Sequence, residues 1–387
     1  MIWSFGAQNF FSFAEGFEFS FNCGKNAANV MGIKGANASG KTNVLRALAF
    51  IGYFANSTFD LKPDEDILVQ PFLDNKKSSS FFCHFSVEGQ VYYYEFEVTR
   101  KEIVSEILKY DGRTGRCIFK RKENMLTLGK EGSSFASLKK MKLRSNASVI
   151  STANQYEFTC ISPIYNFFAQ IATNVTDAGM TGFRFDLSTV TKFYNENPAV
   201  FNRVKLFLAS CDSGISDIKI RNGINSAGES FLYPVFIHAT EDGQSGEILA
   251  RHEALGSLKL YQILWLYFYT LDLGGVLAVD EFDCNLHPDL LPKLVELFGS
   301  TESNPRNAQF IFSTHDTSIM DNLGKYRIYL VNKKNNASYI YRLDELPSEI
   351  LRNDRKITPL YRRRKIGGVP NFVWACRVSW FSNKVKC

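Results

Sequence analysis

No C-x-x-C pair occurs anywhere in the chain, and its eight cysteines are scattered at positions 23, 83, 117, 160, 211, 284, 376 and 387. A zinc site therefore lacks its usual ligand framework. Isolated thiols in a chain of 387 residues fit a reducing cytosol better than secretion, because a chain this long needs no disulfide staples. The most apolar run, Ile263 to Tyr269, is far too short to cross a bilayer. Met1-Ile2-Trp3-Ser4-Phe5 has no basic segment ahead of an apolar stretch, so no signal peptide is expected. A soluble cytoplasmic protein without membrane contact is the expectation. There is no internal repeat with a period of about 20–50 residues and no sustained heptad pattern, so a long coiled-coil arm is absent. Charge is close to balance at +6. That permits nucleic-acid contact without demanding it.

Apolar and aromatic residues are plentiful. The chain is 45% hydrophobic and 22% charged, with 34 Phe and 17 Tyr, which argues for a packed globule and against disorder. The length exceeds one ordinary core, so two lobes or a domain with an insertion are expected.

Strand-like alternation opens the chain at Phe17-Glu18-Phe19-Ser20-Phe21. A short apolar strand over 29–33 runs into a glycine-rich loop. A helix follows, with Val44, Leu45, Leu48, Ile51 and Phe54 on one face. Residues 79–128 alternate as an antiparallel meander with one wet face, turning at Gly89-Gln90 and at Asp111 to Gly115. Residues 131–210 read as mainly helical, with Pro198 opening a helix, and two strands follow at 215–220 and 231–239. A helix over 257–271 precedes three apolar strands, 276–279, 310–312 and 327–331, with a helix over 288–298 among them. Such alternation predicts a parallel sheet with right-handed crossovers. The division expected is 1–130 and 251–345 as two parts of one α/β head, 131–250 as a mainly helical insertion, and 346–387 as a basic tail.

Gly35-Ala36-Asn37-Ala38-Ser39-Gly40-Lys41-Thr42 fits G-x-x-x-x-G-K-[ST] in full. Glycines in such a loop let backbone N–H groups point at phosphate oxygens, and the helix that follows offers its positive end. Lys41 reaches the β and γ phosphates and the Thr42 hydroxyl ligates Mg²⁺. Val276 to Val279 is an apolar strand ending in Asp280-Glu281. Asp280 there holds Mg²⁺ and Glu281 polarises the attacking water. Phe310 to Ser313 is a second apolar strand, followed by Thr314 and His315. A histidine so placed can donate to the γ-phosphate and sense its loss. Gln70, between the loop and the meander, is a candidate for a third metal contact.

This order, with a strand-end histidine about 35 residues after the acid pair, resembles the ABC-type P-loop ATPases. Glu253-Ala254-Leu255-Gly256-Ser257-Leu258-Lys259-Leu260 is similar to the E-S-x-G-T-x-x-L signature of their AAA15/AAA21, OLD-like branch, with Ala254 in place of the usual Ser. Asn9-Phe10-Phe11-Ser12-Phe13 resembles the branch's opening N-F-[RK]-S-F, with Phe11 replacing a basic residue. Gly40-Lys41-Thr42-Asn43 resembles its G-K-[ST]-N. Pro71-Phe72, Asp280 through Pro288 and Gly367-Gly368-Val369-Pro370 fit it as well.

The resemblance implies an α/β head with an antiparallel β segment and a helical insertion. It implies ATP and Mg²⁺ as ligands. Two heads would pair head-to-tail, as a homodimer or higher homo-oligomer, with Gly256 and Ser257 reaching the γ-phosphate held by the other. Only about 70 residues follow His315, too few for the Toprim nuclease of OLD proteins. The expectation is a stand-alone ATPase subunit with a separate effector, a nuclease or toxin. Anti-phage systems such as those of RloA, AriA, AbiL and the PtuA ATPase of Septu and retrons follow this plan. A RecF-like DNA-binding clamp and an ATP-dependent scaffold with little turnover are the alternatives. Lys139 to Arg144 and Arg362 to Lys365 are candidate nucleic-acid contacts.

Overall fold

The structure, a computed structural model, describes residues 1–369 except 25, 112–115, 130–134, 139–141, 182–184, 212–213, 227, 241, 285–287 and 353–355. The hairpin turn at 112–115, most of the lysine run from 139, Leu286-His287 and Pro370 lie outside the described residues.

A six-stranded sheet organises the head. Its order is Ile171–Thr173, Val276–Val279, Gln309–Ser313, Val30–Gly35, Ile328–Lys334 and Ala337–Arg342. The first five strands run parallel and the last returns antiparallel. The inner strands are buried along their length, which is why they read as apolar runs and not as alternation. Ligands of such sheets collect at the carboxyl ends of the strands. Those ends carry residues 35, 280 and 314.

A seven-stranded antiparallel sheet lies beside it, in the order Met125–Leu128, Cys117–Lys122, Ile103–Tyr110, Gln90–Val98, Ser79–Val87, Ile2–Gln8 and Phe17–Ser20. The helix Lys41–Ser57 packs between the two sheets. Its expected face, Val44, Leu45, Leu48, Ile51 and Phe54, is buried to 0% exposure at every position. Phe54 stacks on Phe96 of the antiparallel sheet at 3.8 Å between ring centres. On the opposite side of the parallel sheet a second core gathers Leu264, Tyr267, Leu294 and Phe310.

Residues 131–250 hold the helices Val149–Gln155, Ser162–Ala169, Leu187–Glu196 and Pro198–Cys211. The same stretch also carries a three-stranded antiparallel sheet, Ile215–Ile224, Ser230–Ala239 and Ser245–Leu249, and it gives the head sheet its strand Ile171–Thr173. The segment is therefore partly built into the head. Three residues show no periodicity of their own, and this strand exists because Val276–Val279 offers an edge.

One charged pair is fully enclosed. Arg121 and Glu106 both have 0% side-chain exposure and lie 3.6 Å apart. Arg121 donates to the carbonyls of Glu123, Ala147 and Arg144. Glu106 accepts from Val149 N–H and the Tyr94 hydroxyl. The pair ties the meander to the start of the helical segment. Glu106→Ala leaves the guanidinium buried without its counter-charge, and is expected to lower unfolding free energy by about 3–5 kcal/mol. Urea unfolding measures this, and a midpoint equal to wild type contradicts it.

Candidate functional site

The glycine-rich loop leaves the central strand Val30–Gly35 and enters the helix Lys41–Ser57 through Gly40 at φ 111°. A Cβ at Gly40 would meet Ser338 Oγ at 2.5 Å, and one at Gly35 would meet the Val331 carbonyl oxygen at 2.5 Å. The loop thus closes only with glycine at both positions. Asn37 and Ala38 are exposed at its crest, Ala38 at φ 60°. Ser39 Oγ is buried without a hydrogen-bond partner. A buried hydroxyl left unpaired is costly, and a phosphate oxygen in the loop would supply an acceptor. Lys41 Nζ donates to the carbonyls of Gly35 and Ala36, each at 3.1 Å. Burial pushes the Lys41 pKa down, while Asp280, Glu281 and Asp283 oppose it. These residues fit a polyphosphate.

The acid pair faces this loop. Thr42 Oγ1 donates to Asp280 Oδ2 at 2.6 Å. A hydroxyl and a carboxylate converging beside a phosphate loop are the oxygen donors a hard divalent cation takes, so Thr42 and Asp280 fit Mg²⁺. Asp280 is 3% exposed. Ser313 Oγ donates to its second oxygen. Asn174 grips its backbone twice: Nδ2 donates to the Asp280 carbonyl at 3.0 Å, and Oδ1 accepts from the Asp280 N–H at 2.8 Å. Glu281 sits at φ 50°, a left-handed conformation that costs a β-carbon residue about 1 kcal/mol or more. Its N–H donates to Ser313 Oγ at 2.9 Å.

His315 is exposed and follows the next strand. Its N–H donates to both Asp283 oxygens at 3.1 Å. Partial burial, then the charge of Lys41, draw its pKa below the ordinary imidazole value, against the pull of Asp283. The shift favours the neutral ring, which keeps one N–H to donate.

The N-terminal turn clamps the loop from the other side. Asn43 Nδ2 donates to Ser12 Oγ at 2.7 Å, and Ser338 Oγ donates to the Ser39 carbonyl at 2.6 Å. Asn9 Oδ1 accepts from Phe72 N–H at 3.2 Å, so the opening motif and Pro71-Phe72 meet in space. Phe11 carries no charge, but Arg46 lies over its ring at 4.2 Å and donates to Asn43 Oδ1 at 2.8 Å. Arg46, one turn after Asn43 in the same helix, thus places a cation beside Phe11. Beside it opens a cleft of about 330 Å³, lined among others by Phe11, Arg46, Tyr53, Asn56 and Asp177.

Other candidates lie elsewhere. Gln70 Oε1 accepts from Arg100 at 2.6 Å and its Nε2 lies 3.4 Å from Asp74, so these side-chain bonds lead away from Thr42 and Asp280. Gly256 and Ser257 open the helix Leu255–Leu273. Leu255 beside them is 79% exposed, and a Cβ at Gly256 would meet nothing within 4 Å. Glu253 anchors the approach, accepting from Ala254 N–H at 2.8 Å and contacting His238 at 2.8 Å. Arg144 from the first basic run is spent internally on the carbonyls of Leu61 and Phe59, whereas Arg362 to Lys365 are exposed. Sequence reasoning missed Asn174, Ser313 and Arg46. Ser313 stood in a motif already marked. Asn174 follows a strand too short to be read.

A phosphate loop on the central strand of a parallel sheet, with an acid pair on a neighbouring strand end and an antiparallel sheet alongside, defines the class: the fold is an ABC-type P-loop ATPase head. The chain belongs to the AAA_21 family, described as "AAA domain, putative AbiEii toxin, Type IV TA system", whose model matches residues 30–321. No curated protein matches it. Among solved structures it is similar to an Smc head bound to the C-winged helix domain of ScpA, at 14% identity over 88% of this chain and 97% of that one, TM-score 0.48. It is also similar to an Smc head with an extended coiled coil, bound to the C-terminal domain of ScpA derived from Pyrococcus furiosus. That match has 12% identity over 88% and 96% of the two chains, TM-score 0.41. Among the described residues, no helix is long and apolar enough to cross a membrane.

Proposed function

We propose that the protein binds and hydrolyses Mg²⁺-ATP at sites shared by two heads, and that this switch governs a separate effector, a nuclease or toxin, in bacterial anti-phage defence. The observation that carries the hydrolytic reading is the 2.6 Å contact between Thr42 Oγ1 and Asp280 Oδ2, with Glu281 next in sequence. When bound, Mg²⁺ supplies the charge that screens the triphosphate. Thr42 and Asp280 would hold it, Lys41 would bind the β and γ phosphates, and Glu281 would accept a proton from the attacking water. His315 would donate to the γ-phosphate. The cleft at Phe11 and Arg46 offers an aromatic wall and a cation to the base end of the nucleotide.

Gly256 sits exposed at a helix start with Ser257 buried beside it, and a helix N-terminus favours anionic phosphate. Pairing with a second head is the way they would meet one. The defence reading draws on the toxin–antitoxin context in the family's description. The run Arg362 to Lys365, exposed at four successive residues, favours the DNA-binding alternative. That reading expects DNA affinity to fall steeply with salt.

Wild-type protein given ATP and Mg²⁺ is expected to release phosphate, and chelation of the metal is expected to stop it. ATP binding with phosphate release at background contradicts hydrolysis and leaves the scaffold.

A further inference from the structure

Lys34 stands one residue before the phosphate loop's first glycine closes the strand Val30–Gly35. It lies outside the loop pattern, and it is 3% exposed. An ammonium taken from water needs compensation, so its surroundings are informative. Nζ donates to the His315 carbonyl. The Tyr361 ring lies 5.4 Å away, within cation–π reach. The carboxylates of Asp283 and Asp316 act on it favourably, and Lys41 adds like charge. Asp283 in turn accepts the His315 N–H. The His315 peptide is therefore held from both ends, its N–H by Asp283 and its carbonyl by Lys34, while the residue itself stays exposed.

We propose that Lys34 is a positioning residue of the hydrolytic site: its ammonium fixes the His315 peptide and with it the angle at which the imidazole meets the terminal phosphate. The inference rests on the ATPase reading above. Tyr361 belongs to the helix Ile357–Arg362, which backs the same loop. Thr358 Oγ1 donates to the Thr317 carbonyl at 2.9 Å, and Asp321 accepts from Ile357 N–H at 2.6 Å. The Tyr361 hydroxyl donates to the Gly368 carbonyl at 2.8 Å. The C-terminal glycine pair is thus tied to the switch loop through the ring that faces Lys34. Burial lowers the Lys34 pKa to about 8, against Asp283 and Asp316. The ammonium is present below that pH and is lost as pH rises through it.

The test is steady-state hydrolysis by full-length Lys34→Met, which keeps side-chain length and removes the charge, with ATP affinity measured by calorimetry. The expected result is a kcat lower by about tenfold or more, with ATP affinity close to wild type because Lys41 is untouched. Wild-type kcat/KM, which reports the free enzyme, is expected to fall above about pH 8, and Lys34→Met is expected to lose that alkaline limb. A residue that only supports the fold moves neither the kcat-against-affinity split nor the limb. If Lys34→Met does not fold, Tyr361→Leu serves: it removes the ring that favours the cation, so the limb should move to lower pH. A folded Lys34→Met with wild-type kcat, or an alkaline limb that neither variant moves, overturns the inference and leaves the ATPase reading standing. A wild type that binds ATP and releases no phosphate removes both.

Discussion

Glu281→Gln is expected to bind ATP normally and to hydrolyse it roughly 10²–10⁴-fold more slowly. The side chain stays the same size, but an amide cannot take a proton from water. Asp280 keeps its hydrogen bonds to Thr42, Ser313 and Asn174, because none of them involves the Glu281 side chain. Nucleotide and metal sites are therefore untouched. The strained backbone at φ 50° is kept too, so fold stability should change little. If hydrolysis reopens a head-to-tail pair, as proposed, the variant accumulates as closed dimers with ATP. Single-turnover phosphate release and light scattering test both halves. Turnover within a few-fold of wild type contradicts the role given to Glu281.

Lys41→Ala is expected to weaken ATP binding severely. Its ammonium is 7% exposed as a residue and bonded only to two loop carbonyls. Truncating a buried, hydrogen-bonded charge facing an anion costs about 2–5 kcal/mol, or roughly a thirty- to several-thousand-fold loss in affinity. The helix should survive, since the face that packs it is Val44, Leu45, Leu48, Ile51 and Phe54. Calorimetry with Mg²⁺-ATP checks this, and affinity equal to wild type would remove the phosphate-loop assignment.

Much of the head was legible because its strands are short, apolar and buried on both faces, with loops of fixed chemistry at their ends. The phosphate loop, the Asp280-Glu281 strand end and the His315 strand end come together because each follows a parallel strand of one sheet. What escaped depends on partners far away in sequence. Ile171–Thr173 is a strand only against Val276–Val279, so Asn174 at its end could not be tied to Asp280. Arg121 sits in a meander that reads as having one wet face, yet it is fully buried because Glu106 and three carbonyls receive it. Gln70 has a loop position compatible with the metal, but Arg100, thirty residues on, takes its side-chain amide oxygen. Arg46 sets a cation over the Phe11 ring, a pairing in space that a linear motif cannot display.

Whether two heads share one site is tested most directly by mixing two inactive variants. Gly256→Glu places an acid at the exposed helix start, where a new Cβ meets nothing within 4 Å, so the fold should accept it. Its charge opposes the γ-phosphate of the facing head and should block closure, while its own Lys41 still binds ATP. Lys41→Ala has the complementary defect. A hybrid dimer then holds one undamaged composite site and one doubly damaged site. The expected result is that each pure variant is inactive and that the mixture recovers part of the wild-type hydrolysis, rising with the fraction of hybrids. Full activity in pure Gly256→Glu, or no recovery in a mixture whose hybrid dimers are shown to form, would contradict a site built across two heads that can fire singly.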